Sequence, residues 1–160
     1  MDQIASEITK LPAYIFDLDG VLSDNSARQY MLNPPSGKPT SADWAAFFAA
    51  SSQDAAYMDT VKLLKTLQAA GYKILLVTGR SEDHEYITLP WLREHGIEPD
   101  LLCQRRHLDF RKDYEVKSEI FLSQIRPYYN VLGVFEDRDD CVKMWRGFDL
   151  TCYQPRVATY

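Results

Sequence analysis

The sequence predicts an α/β fold, a mostly parallel central sheet with helices on both faces, and two observations carry that reading. Short runs that are apolar almost throughout, Ala13–Phe16, Lys73–Val77 and Val131–Phe135, alternate with stretches of helical period. Strands buried on both faces read in this unbroken way, because the helical crossovers of a parallel sheet cover each side. The same three runs end in polar chemistry: Asp17 and Asp19, Thr78 and Arg80, Glu136 and Asp137. Ligands of such sheets bind outside the carboxyl ends of the strands. A strand end is also polar merely because the chain leaves the core. Acids at two ends and a hydroxyl at a third fit one compact site better.

Each element follows in order. The first strand, Ala13–Phe16, runs straight into Asp17-Leu18-Asp19-Gly20. From Ser23 to Ala42, prolines and small polar residues (Asn33-Pro34-Pro35-Ser36-Gly37) predict an exposed loop. Trp44, Phe47 and Phe48 then recur at helical spacing after a cap at Ser41 or Asp43, as core, a small lid or a base-stacking platform. Met58, Val61, Leu64 and Leu67 predict an amphipathic helix over about 54–70, ending at Gly71. After the second strand a helix is expected over about 82–95, interrupted at Pro90, and a short strand near Asp100 to Gln104. Tyr114 to Ile125 reads as helix, stopped by Pro127. The strand Val131–Phe135, a helix through Val142 and Trp145, and a last strand near Leu150 to Tyr153 complete the chain.

The 160 residues suffice for one domain with a sizeable core. A net charge of −5 gives no global attraction to nucleic acid, so a polyanion would have to be held by a local patch. The densest basic stretch is Gln104 to Lys117, with Arg105, Arg106, His107, Arg111 and Lys112, although Asp109, Asp113 and Glu115 dilute it. Cys103, Cys141 and Cys152 form no CxxC pair, which predicts free thiols in a reducing, cytoplasmic setting. The start from Met1 to Leu11 has no signal-peptide pattern, and no apolar run approaches the roughly 20 residues that cross a bilayer. Gly37-Lys38 is not a P-loop: Leu32 stands where its first glycine should be and Pro39 where it needs Ser or Thr. That disfavours a kinase.

Two acids at a strand end are costly to bury unless a cation lies between them, and a hard divalent ion such as Mg²⁺ takes oxygen ligands of this kind. Asp17-x-Asp19-Gly20 is equally ordinary turn chemistry when read alone. Converging Asp17, Glu136 and Asp137 would hold the ion, and Asp17 could then attack phosphorus and form an aspartyl-phosphate. Asp19 could protonate the leaving alcohol and later deprotonate water, a role that calls for a raised pKa. Thr78 would bind a phosphate oxygen and Lys117 would neutralise developing charge, although spacing alone also allows Lys117 to be a solvated helix lysine.

Asp17-Leu18-Asp19-Gly20, Thr78, Lys117 and Glu136-Asp137 resemble the four ordered motifs of the haloacid dehalogenase (HAD) phosphohydrolase superfamily. Cys103-Gln104-Arg105, Arg111-Lys112-Asp113, Val116 to Phe121, and Glu136-Asp137-Arg138 with Met144-Trp145-Arg146 further resemble the 3′-phosphatase domain of bacteriophage polynucleotide kinases. The resemblance implies a Rossmann-like HAD core, Mg²⁺ dependence and removal of 3′-phosphates from nucleic-acid ends. It implies Asp17 as nucleophile, Asp19 as general acid–base, and Thr78 and Lys117 as further catalytic groups. Gly79, Arg80, Arg105, Asp113 and Arg138 become substrate contacts, and Asp17, Asp19 and Asp137 metal ligands. Glu136 replaces the usual first Asp of the acidic pair and is expected behind the ligands rather than among them. Residues 23–54 form a short cap-like insert within a single domain of 1–160. The kinase half of those proteins has no counterpart, which leaves a separate kinase or ligase as a possible partner.

An open mouth under so short an insert suits a polymer end but also admits nucleoside monophosphates. A phospho-accepting receiver module is a third reading. It places its aspartate after a middle strand, however, and lacks a second acid in the position of Asp19.

Overall fold

A computed structural model describes residues 9–159; the predicted absence of a leader concerns a segment mostly outside them. Five strands form one sheet in the order β3-β2-β1-β4-β5, and every pairing is parallel. They are β1 (Leu11–Phe16), β2 (Lys73–Ser81), β3 (Leu101–Arg105), β4 (Tyr129–Phe135) and β5 (Cys152–Tyr153). The helices are α1 (Ser41–Ala49), α2 (Met58–Ala69), α3 (Glu85–Glu94), α4 (Asp113–Ile120) and α5 (Asp139–Gly147).

The apolar runs are explained by burial on both sides. Ile15, Leu75, Val77 and Val134 face a core completed by Val116, Ile120, Val142 and Trp145 of α4 and α5. Their neighbours Phe16, Ile74, Leu76 and Phe135 face the opposite core, with Val61 and Leu64 of α2 and Trp91 and Leu92 of α3. Strand order reverses beside β1: the chain steps outward through β2 and β3, then crosses back to β4 on the other side. The crevice above that reversal is where parallel sheets bind ligands.

Several boundaries differ from expectation, each for a physical reason. The segment predicted as an exposed loop contains a 3₁₀ helix at Ser26–Leu32, with Arg28 and Leu32 buried. Thr40, rather than Ser41 or Asp43, caps α1, and its hydroxyl and amide are both tied to the Asp43 side chain. The helix expected from 54 begins at Met58, because Asp54 is drawn into a buried pair with Arg28. β2 runs on to Ser81 where the run of apolar residues stops at Val77. Pro90 does not interrupt α3; the carbonyl it leaves unpaired belongs to exposed Tyr86, where water can serve it. The end of the predicted 114–125 helix widens into a π turn, Phe121–Ile125, closed by Arg126 N donating to the Phe121 carbonyl (2.8 Å). All three cysteines are free and buried. Among the described residues no helix is long and apolar enough to cross a membrane.

Candidate active site

β1 and β4 place the acids. The Asp17 amide continues the ladder by donating to the Phe135 carbonyl (2.9 Å), which puts Asp17 directly beside Glu136 and Asp137 at the end of β4. The chain after Asp17 must then turn sharply, and Gly20 does so at φ +78°. A Cβ there would lie 2.1 Å from Asp137 Oδ2, so this glycine also provides the space in which the Asp137 carboxylate lies.

Lys117 is the centre of charge. Wholly buried on α4, its Nζ contacts Asp17 Oδ2 (2.9 Å), Asp113 Oδ2 (2.9 Å) and Glu136 Oε2 (2.8 Å). The solvated-lysine alternative is therefore wrong for this fold. Burial disfavours the ammonium, but the three carboxylates outweigh it and hold the Lys117 pKa well above its ordinary value. One cation still does not balance the acids around it. Burial, then the charge of Glu136, raises Asp17 well above the usual carboxylate range. The same two causes push Asp137 up to about 8.

Asp17, Glu136 and Asp137 each bring a carboxylate oxygen within 4.8 Å of the others. Asp137 Oδ1 is buried and accepts no hydrogen bond from the described residues. Surplus negative charge, hard oxygen donors and an orphaned carboxylate oxygen fit a divalent cation of the Mg²⁺ type. Glu136 differs from the other two: its oxygens already accept from Lys117, from Trp145 Nε1 (3.3 Å) and from the Asp137 and Arg138 amides (3.1 and 3.4 Å). It buttresses the pair as well as neighbouring it. The Asp137 carbonyl is in turn held by Gln154 Nε2 and the Ala158 amide, both at 2.9 Å.

Asp19 departs from two expectations. Its carboxylate is outside the acidic trio, because Arg80 takes both oxygens (2.9 and 2.7 Å) and Arg28 adds a third contact. Burial would raise its pKa, yet the two guanidiniums outweigh burial and hold it well below the usual range. The raised pKa expected of a proton donor is thus absent from this arrangement. Arg28 also bonds Asp54 from Nε (2.9 Å) and the Phe47 carbonyl (3.0 Å), and stacks on the Phe47 ring at 4.0 Å. Sequence reading missed Arg28 and Asp54, since a lone arginine among prolines looks like surface and carries no motif.

The remaining predicted residues divide. Thr78 is buried at the end of the apolar run, lining the cleft, with its hydroxyl accepting from the Arg80 amide (3.2 Å). Arg80 lines the cleft and is wholly buried against Asp19. Arg105, also expected to touch substrate, lines the cleft and donates to the carbonyls of Gly79 (3.0 Å), Asp109 (3.1 Å) and Arg111 (2.6 Å) and to Asp113 (3.3 Å). Asp113 bridges Arg105 and Lys117. Arg138 lines the cleft and pairs with Asp140 (3.3 Å).

Gly79 contacts this brace most closely: a Cβ there would fall 2.3 Å from Asp113 Oδ1. Gly79→Ala should therefore push Asp113 off Lys117, costing about 1–3 kcal/mol of stability. It should lower kcat/KM at least tenfold. A thermal melt and a rate measurement on the same preparation check both effects; a native melt with a native rate would refute the packing argument.

These groups surround an open cleft of ≈ 650 Å³ whose floor includes Asp17, Asp19, Thr78 and Gly79. The family model for the polynucleotide kinase PNKP phosphatase domain, of the HAD type, matches residues 11–160. This chain belongs to that family. It is accordingly a phosphoric monoester hydrolase domain with a HAD fold, and the receiver reading falls away. A relative from Autographa californica nuclear polyhedrosis virus, assigned as a bifunctional polynucleotide kinase/RNA ligase, is 34% identical over 110 residues, 68% of this chain and 16% of its own length. A chain in the structure of the Pnkp1/Rnl/Hen1 complex matches with a TM-score of 0.78 and 32% identity, covering 100% of this chain and 50% of that one. The chain thus spans half or less of these relatives. The class C acid phosphatase of Bacillus anthracis, 22% identical with a TM-score of 0.61 over 87% of this chain and 56% of that one, shares the fold.

Proposed function

We propose that this phosphatase domain is Mg²⁺-dependent and removes 3′-phosphates from DNA or RNA ends through an aspartyl-phosphate on Asp17. The observation that carries the reading is the placement of Asp17 on the cleft floor at the strand-order reversal, with Lys117 2.9 Å away. A relative assigned as a polynucleotide kinase/RNA ligase and a structural match within an RNA repair complex support a nucleic-acid end as substrate.

An Asp17 oxygen attacks phosphorus, and the bond from phosphorus to the sugar oxygen breaks as the acyl phosphate forms. The leaving alkoxide takes a proton. Water then attacks the same phosphorus, giving inorganic phosphate and restoring the Asp17 carboxylate. Asp19 is the proposed proton carrier: held ionised by Arg80 and Arg28, it suits the second half, where it takes a proton from water. Serving the first half requires it to be protonated against those two cations. Thr78 offers its hydroxyl to a phosphate oxygen, and Lys117 aims Asp17 and opposes the protonation that burial and Glu136 favour. Mg²⁺ held by Asp17 and Asp137, with Glu136 behind them, would draw in the phosphate and offset its charge. A ligase or kinase acting on the same ends is the partner this reading calls for. The buried free thiols suit a cytoplasmic setting.

A panel of 3′- and 5′-phosphorylated oligomers and both mononucleotide isomers tests the assignment. Rapid release from the 3′-oligomer is expected with Mg²⁺, none with EDTA, and recovery on adding Mg²⁺ back. The kcat/KM for oligomers should also fall steeply with salt. Equal rates on thymidine 3′-monophosphate and the 3′-oligomer would overturn the polymer assignment in favour of a nucleotidase.

A further inference from the structure

The cleft is larger than a phosphate needs, and apolar side chains stand on two sides of it. On one side α1 presents Trp44 and Phe48, half-buried and packed with buried Phe47 at ring-centroid distances of 5.4–5.8 Å. The loop between β3 and α4 supplies the other, with Leu108 67% and Phe110 74% exposed. Two large apolar side chains turned mostly to water at the mouth of a site offer it an apolar surface.

The loop is tied at several points while it exposes them. Arg105 ties its base to the Asp109 and Arg111 carbonyls. Arg111 clasps Asp109 (2.7 Å) and Glu119 (2.6 Å). From the far side the His107 amide donates to Glu82 Oε1 (3.0 Å), and its Nδ1 lies 2.9 Å from Asp83. Leu108 adopts φ +57°, a conformation unfavourable for a branched side chain, so the tip is fixed by these contacts rather than by local preference. Beside it on the same wall, the exposed Arg106 guanidinium has no partner among the described residues.

We propose that the cleft grips the terminal nucleotide of a single-stranded end, its base between the Trp44/Phe48 wall and the Leu108/Phe110 tip, with Arg106 meeting the phosphate of the preceding nucleotide. Aromatic faces bind any base by stacking, and a rigid tip loses little freedom on binding. The pairing of apolar side chains with an exposed guanidinium on the cleft wall matches the chemistry of a nucleic-acid strand, whereas a simple phosphomonoester would use the floor alone. This inference rests on the phosphatase reading of that floor.

Two oligomers test it, identical except that the phosphate-bearing terminal residue of one is abasic. The wild-type chain should prefer the base-bearing oligomer, and Phe110→Ala should shrink that preference roughly 5- to 150-fold, toward one. Phe110 is exposed, so the variant should melt like the wild type. Arg106→Ala should reduce the slope of log kcat/KM against log salt by about one. A wild-type preference near one, or a preference that Phe110→Ala leaves unmoved, would overturn the proposal. The ratio can be read on whichever phosphate, 3′ or 5′, the chain removes. Loss of the 3′ assignment and loss of the base grip are thus separate results.

Discussion

Asp17→Asn should abolish turnover of every phosphomonoester, lowering kcat by at least on the order of 10⁴-fold, as removal of a covalent nucleophile does elsewhere. The metal-free protein should nevertheless melt within a few degrees of the wild type. Two opposed effects produce that outcome. The folded state already disfavours the Asp17 charge through burial and Glu136, so neutralising it is stabilising. Against this, the side chain accepts from two donors, the Leu18 amide (2.7 Å) and Lys117 (2.9 Å), and an asparagine amide must face one of them, at about 1–3 kcal/mol. Phosphate release and a calorimetric scan in EDTA check both halves. Residual turnover on p-nitrophenyl phosphate would remove Asp17 from the nucleophile's role.

Lys117→Met carries the largest expected loss of stability, about 3–5 kcal/mol at neutral pH in metal-free protein, because it leaves Asp17, Asp113 and Glu136 buried without their shared cation. The sign of its pH dependence follows from the carboxylates. Without Lys117, Asp17, already raised by burial and Glu136 above its unfolded value of about 4, rises further, and Asp113 loses the main charge that holds it low. The folded variant then binds more protons than the unfolded chain, so its stability falls as pH rises through that interval. The deficit relative to wild type should be small near pH 4 and full near pH 7. Urea melts at the two pH values check this; an equal deficit at both would mean that Lys117 acts by packing alone.

The strands and three of the four motif positions were legible because each rests on a local signal: apolar runs that must be covered on both faces, and acids or a hydroxyl set where such runs stop. Lys117 became legible only by resemblance, since no spacing rule brings a lysine on α4 to a carboxylate one hundred residues earlier. Arg28 and Asp54 were illegible for a related reason. Their pairing is a tertiary contact across 26 residues of insert, and local propensity read the prolines around Arg28 as solvent-facing loop. Arg80 and Arg105 show the converse. Their neighbourhood was legible but not their partners: both guanidiniums hold protein groups at the edge of the cleft they line.

The position of β1 at the centre of the sheet has a kinetic consequence. Its partner β4 lies more than a hundred residues downstream, and Asp17 is fixed by a hydrogen bond to the last residue of that strand. Contacts that close so long a loop form late, after local helices and the β1–β2 pair have been able to assemble. On the ribosome, a nascent chain lacking β4 therefore has Asp17, the proposed nucleophile, but not the strand that holds it. On the proposed mechanism, turnover is expected only once β4 has paired, and a half-made chain should be chemically silent.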